Sequence, residues 1–99
     1  MRLKLEFTEP YLIELNAIID HVELNFSPRV SKAVKQRLNE SVQMLTVFPR
    51  LGVRIGNAQR PNIRKLIVSG KSIVFYEVRQ GTIRLLNIYD SRMDWMRRT

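Results

Sequence analysis

Ninety-nine residues, with seventeen lysines and arginines against nine aspartates and glutamates and no cysteine, describe a single basic domain spanning 1–99 with a net charge of +8. At this length a folded chain hides roughly two-thirds of the surface it exposes when unfolded, enough for one core, while the missing cysteines exclude a disulfide framework and a thiolate metal site. No apolar run approaches the roughly 20 residues that cross a bilayer, and the first residues do not build a signal-peptide core, so a cytoplasmic protein that touches no membrane is expected.

Leu3, Leu5 and Phe7 alternate with Arg2, Lys4 and Glu6, a period of two that predicts an outer strand with one buried face. Thr8 then offers an N-cap hydroxyl, with Glu9 and Pro10 suited to the first turn of a helix. The helix's apolar stripe is expected to be Leu12, Leu15, Ile19, Val22 and Phe26, widened by Ile18. Ser27 and Pro28 predict the cap and first turn of a second helix, and so short a link makes the pair an antiparallel hairpin. Val30, Val34, Leu38, Val42 and Leu45 hold its period, with Phe48 at its end and Lys32, Lys35 and Arg37 turned largely to water.

Pro49 stops the second helix, and residues 50–62, with two glycines and a proline, are expected to form an ordered loop in which Leu51, Val53 and Ile55 could dock or make a short strand. Three runs rich in β-branched and aromatic residues follow: Arg64 to Val68, Ile73 to Val78 and Ile83 to Tyr89. Ser69-Gly70 and Gln80-Gly81 separate them, each glycine able to supply the positive φ of a tight hairpin. The architecture is therefore α+β: an N-terminal strand, a helix hairpin and a three-stranded antiparallel meander, with the helices packed on one sheet face. The other face is expected to keep arginines and lysines from the strands.

The charge is lopsided. Residues 1–49 carry six basic and six acidic side chains, whereas residues 50–99 carry eleven basic ones against Glu77, Asp90 and Asp94. So the whole excess belongs to the sheet half, which points to a polyanionic or acidic partner. His21 has no second histidine or cysteine with which to share a metal, and a satisfied or exposed helix residue is the expectation for it. Asp90 and Asp94 sit among arginines and suit local salt bridges better than paired acid/base work. Neither a glycine-rich phosphate loop before a helix nor a Ser/His/Asp set can be assembled, and no cofactor is implied.

What is left is basic and aromatic: Arg64, Lys65, Lys71, Arg84 and Arg92, with Tyr76 or Tyr89 as a stacking surface and Trp95 more suited to plugging the core. Arg64 and Lys65 are adjacent in a strand, so only one of them can join the wet face. A solvated sheet face with tyrosines at the core rim is the competing reading.

The order of these pieces resembles the RelE/ParE superfamily of toxins from bacterial type II toxin–antitoxin modules. The resemblance covers almost the whole chain. It rests on the strand, Thr-Glu-Pro and helix-hairpin opening, Phe48-Pro49-Arg50-Leu51-Gly52, Arg64 to Val68, Ile73 to Val78, and Ile88-Tyr89-Asp90-Ser91-Arg92-Met93-Asp94-Trp95. It implies a toxin neutralised by a cognate antitoxin whose acidic or amphipathic tail wraps it, and it implies one of two mechanisms. ParE-like members, the plasmid-stabilisation branch, inhibit DNA gyrase without being nucleases; RelE-like members cut mRNA in the ribosome.

For RelE-like cleavage, Lys65 and Arg92 match basic positions of the pattern, Ser72 and Ile73 stand where an arginine is expected so that Lys71 would deputise, and no aromatic acid/base residue follows Trp95. The ending from Tyr89 to Trp95 looks more like the ParE type, although that branch commonly has histidine where Asp90 stands. On the resemblance, the binding surface for target or antitoxin would draw on Arg64, Lys65, Lys71, Arg84, Tyr89, Arg92 and Trp95. The leading expectation is a ParE-like gyrase inhibitor. A ribosome-dependent mRNA endonuclease is the enzymatic rival, and a non-toxic nucleic-acid-binding relative that reads DNA with its second helix is the third.

Overall fold

The computed structural model describes residues 2–93, in which the opening alternation becomes β1 (Lys4–Phe7). Thr8, with extended dihedrals, caps α1 (Glu9–Asn25), and Ser27 caps α2 (Pro28–Leu45) by accepting the Val30 N–H at 3.1 Å. Each cap satisfies a donor that the first helical turn leaves without a partner. The segment expected as a loop contributes a two-residue strand, β2 (Val53–Arg54), before β3 (Ile63–Val68), β4 (Ser72–Arg79) and β5 (Thr82–Asp90). A short 3-10 turn, Ser91–Met93, closes the described chain.

The five strands form one sheet in the order β1-β5-β4-β3-β2. The meander is antiparallel as expected, and β1 joins it as an edge strand parallel to β5, with Leu5 opposite Ile83 and Phe7 opposite Leu85. Both hairpin glycines take positive φ, and Ser69 shares that conformation with Gly70 at φ 58° and 71°. Between β4 and β5 the register slips: Phe75 pairs with Asn87 but Tyr76 with Leu85, leaving Leu86 as a bulge.

The side chains of Val68, Val74, Tyr76, Ile83, Leu85 and Ile88 form the sheet's share of the core, and Tyr11, Ile18, Val22, Leu38, Val42 and Leu45 form the helices' share. Burying each contributes about 1.5–3 kcal/mol. The core face of α1 differs from the stripe read in the sequence. Tyr11 and Ile18 are buried, with Leu15 packed beside them, while Leu12 and Phe26 are 43% and 55% exposed. The cause is that α1 is apolar almost all round, so periodicity does not fix its rotation; its polar ties to β5 do. The Thr8 hydroxyl donates to the Leu85 carbonyl at 2.7 Å and the Leu86 carbonyl at 3.1 Å, and a Glu14 carboxylate oxygen accepts the Ile88 N–H at 3.1 Å.

On α2 the expected stripe holds in its second half, where Leu38, Val42 and Leu45 are buried; Phe48 lies beyond the helix end and is exposed. The far side of the sheet carries Lys65, Arg79 and Arg84, as expected, but around an apolar centre. Cross-strand pairing puts Ile67, Ile73 and Tyr89 in one row there and Lys65, Phe75 and Asn87 in the next. The nearly continuous apolar strands leave no other outcome, since every second residue of such a run must face away from the helices.

Candidate functional site

Where β3 turns into β4, Ser72 and Asp90 face each other across the β4–β5 ladder, and both are buried. Asp90 accepts the Ser72 hydroxyl at 2.5 Å, the Arg92 backbone N–H at 2.9 Å, and the Arg92 guanidinium at 2.8 Å from Nε and 2.6 Å from Nη2. Burial alone would raise the Asp90 pKa, but these hydrogen bonds and the charge of Arg92 outweigh it and hold the carboxyl below its ordinary value. The same pair raises the pKa of Arg92.

Arg92 and Lys71 line one cleft, of about 500 Å³, between this end of the sheet and α2. Arg29 and Arg37 enter from the helix, eight residues apart and so on one helical face, and Val30, Val34, Leu38 and Val68 supply an apolar floor. Four cations and no carboxylate line it among the described residues. Arg29 and Arg37 escaped the sequence reading because α2 belongs to the electrically neutral half.

The opposite end of the sheet, where β3 begins and β4 ends, holds a second cationic pocket of about 560 Å³ lined by Arg50, Arg54, Arg64 and Arg79. Arg64 lies on the helix-facing side, paired with Tyr76, and donates to the Gly52 carbonyl at 2.7 Å and the Arg50 carbonyl at 3.4 Å. Tyr76 is fully buried rather than offered for stacking: its hydroxyl donates to the Pro49 carbonyl at 2.7 Å and accepts the Gly52 N–H at 2.9 Å. Desolvation raises its pKa, outweighing the Gly52 N–H and the positive charge of Arg64. Arg64 and Tyr76 are thus tied to the 49–52 loop, Tyr76 through a hydroxyl that both donates and accepts there and Arg64 through Nη1 alone. Arg50 and Arg54 were missed because the loop reading gave no face to their charges, and Arg79 because the strand read from the sequence stops at Val78, one residue short of the end of β4.

The remaining candidates disperse. Lys65 lies on the far face, Arg84 pairs there with Glu6 at 3.5 Å, and Tyr89 sits half-buried beside Ile73. Trp95 and Asp94 lie outside the described residues. His21 is buried, its Nδ1 3.1 Å from the Asn25 amide nitrogen. No cluster of metal-ligating side chains occurs among the described residues, and no helix there is long and apolar enough to cross a membrane.

Residues 5–95 match the family described as the ParE toxin of the type II toxin–antitoxin system, parDE. No curated protein is similar enough to count as a relative. Among solved structures, the chromosomal ParDE toxin–antitoxin system of P. aeruginosa aligns at 23% identity with a TM-score of 0.74, over 90% of this chain and 96% of that one. The RelBE2 toxin–antitoxin complex of Mycobacterium tuberculosis aligns at 16% identity and 0.63, over 91% and 99%. A conserved hypothetical protein of Helicobacter pylori aligns at 14% and 0.57, over 91% and 96%. At these identities the structural likeness speaks for the fold.

Proposed function

The chain belongs to the ParE toxin family of type II toxin–antitoxin systems, and from that premise we propose that it arrests growth by inhibiting DNA gyrase until a cognate antitoxin sequesters it. A gyrase target places its action in the cytoplasm. The observation that supports binding over cleavage is the separation of the three side chains a RelE-like reaction would use. Lys71 and Arg92 share the cleft on the helix side, Lys65 lies on the other face of the sheet, and the Arg92 guanidinium is committed twice to Asp90. Phosphoryl transfer needs its cations converging on one phosphate. A gyrase blocker needs only a shaped surface.

Induction of the chain in a bacterial host is expected to stop growth with an SOS response and intact messages, and the purified chain to inhibit gyrase supercoiling. Unaffected purified gyrase, together with site-specific cuts in translated transcripts, would replace this reading with the mRNA endonuclease.

A further inference from the structure

We propose that the arginine pocket at the β2 edge of the sheet grips the phosphodiester backbone of duplex DNA. Arg50, Arg54, Arg64 and Arg79 line it without a carboxylate among the described lining residues. Glu77, two residues before Arg79 in β4, meets Arg79 at 2.9 Å and Arg60 at 3.6 Å, one carboxylate among five arginines. Every cation in the group is arginine, whose planar fork matches two phosphate oxygens at once.

Three of the four lining guanidiniums are already braced. Arg64 donates to the Gly52 and Arg50 carbonyls, Arg54 Nε to the Pro61 carbonyl at 2.9 Å, and Arg79 Nε to Glu77. In each case the bond occupies part of the fork and leaves the other N–H groups for a ligand. Such bracing lowers the ordering cost of binding.

Among the described residues the remaining lining, Pro61, Asn62, Val78 and Gln80, contains no aromatic ring. A single strand is held by stacking its bases on aromatic faces, and this pocket offers none. An acidic amphipathic segment needs an apolar floor, which the Lys71–Arg92 cleft supplies with Val30, Val34, Leu38 and Val68 and for which this pocket offers only Pro61 and Val78. The chemistry favours a double-stranded backbone contacted through phosphates alone. The inference goes beyond the toxin's target, because the pocket acts without any enzyme present.

Fluorescence anisotropy of the full chain with a labelled duplex DNA oligomer, titrated across salt concentrations, tests it. Arg50→Gln with Arg54→Gln is expected to weaken binding about tenfold and to reduce the salt slope by about 2. Arg79→Gln, which leaves the 49–54 loop untouched, should lose about one unit of slope. Lys32→Gln with Lys35→Gln removes equal charge from α2 and should change neither. Absence of duplex binding, equal losses in the α2 control, or tighter binding of single-stranded RNA or polyglutamate would each overturn the proposal. Gyrase takes no part in these measurements, so that failure would leave the gyrase reading standing.

Discussion

Glu14 on α1 accepts the backbone N–H of Ile88 on β5 at 3.1 Å, taking the place of a strand neighbour that β1 no longer supplies beyond Phe7. The same carboxylate oxygen receives the Asn87 side-chain amide at 3.1 Å, so one residue of the helix fixes two consecutive residues just past the bulge. Removing it leaves a half-buried N–H without a partner. Glu14→Ala is expected to cost about 1 kcal/mol or somewhat more, a fall in Tm of about 4–8 °C. Glu14→Gln, which keeps an acceptor oxygen, should recover most of that in a thermal melt. An alanine variant as stable as the parent would show that the tie contributes nothing.

The Asp90–Arg92 pair ties stability to acid. Because the folded carboxyl is held below its ordinary pKa, its contribution is present above the unfolded carboxylate value of roughly 3.9 and is lost as pH falls through the lower folded value. Asp90→Asn strands a largely buried guanidinium and should cost about 3 kcal/mol near neutrality. Melting both proteins from neutral pH downwards should show their difference narrowing only in strong acid. A gap that stays constant down to pH values well under 3.9 would contradict the linkage.

Gly52 leaves no room for a side chain. A Cβ there would lie 2.6 Å from the Lys65 carbonyl and 2.8 Å from the Tyr76 ring and hydroxyl, and the carbonyl belongs to a paired strand that cannot retreat. Gly52→Ala is expected to destabilise by about 1–3 kcal/mol, as overpacking does. Tyr76→Phe, which removes two hydrogen bonds but no volume, should cost a similar 1–3 kcal/mol, roughly. Because both changes release one loop, their combination should cost less than the sum. Additive losses in chemical denaturation would mean that the two sites act separately.

At the other end of the core, burial pushes the Tyr11 phenol up to about 12, and its ring lies 6.0 Å from that of Phe7. A phenol that holds its proton more tightly when folded stabilises the fold fully below the unfolded value of roughly 10, and that stability drains away as pH rises through the folded one. Ultraviolet titration should therefore find Tyr11 ionising late, as Tyr76 also does, and one late-ionising tyrosine fewer in Tyr11→Phe. If the variant instead lost a step near 10, Tyr11 would have to be solvent-accessible.

The hairpin of helices and the meander were legible in the sequence because local signals agree there: the Thr8 and Ser27 caps, the prolines after them and the glycines at positive φ. The rotation of α1 was not, since a helix with Leu12, Ile13 and Leu24 on its outer side offers no contrast to read. The candidate site was half legible. Sequence parity separated Arg64 from Lys65, and the structure places them on opposite faces. Composition could not foresee that backbone carbonyls would claim Arg64 and Tyr76, because a hydrogen bond from β3 or β4 to the 49–52 loop leaves no periodic trace. Nor could it gather Arg50, Arg54 and Arg79, which meet only when the loop folds back along β3.

The parallel pairing of β1 with β5 sets a condition on when this molecule comes into being. Its first strand has no partner until residues 82–85 exist, and the Thr8 and Glu14 ties wait for the same stretch. A growing chain can form its two helices early, yet the platform they cover is not closed until β5 has been made. A fragment that stops short of β5 lacks the one edge to which both β1 and α1 are anchored, so the two ends of the fold are secured together or not at all.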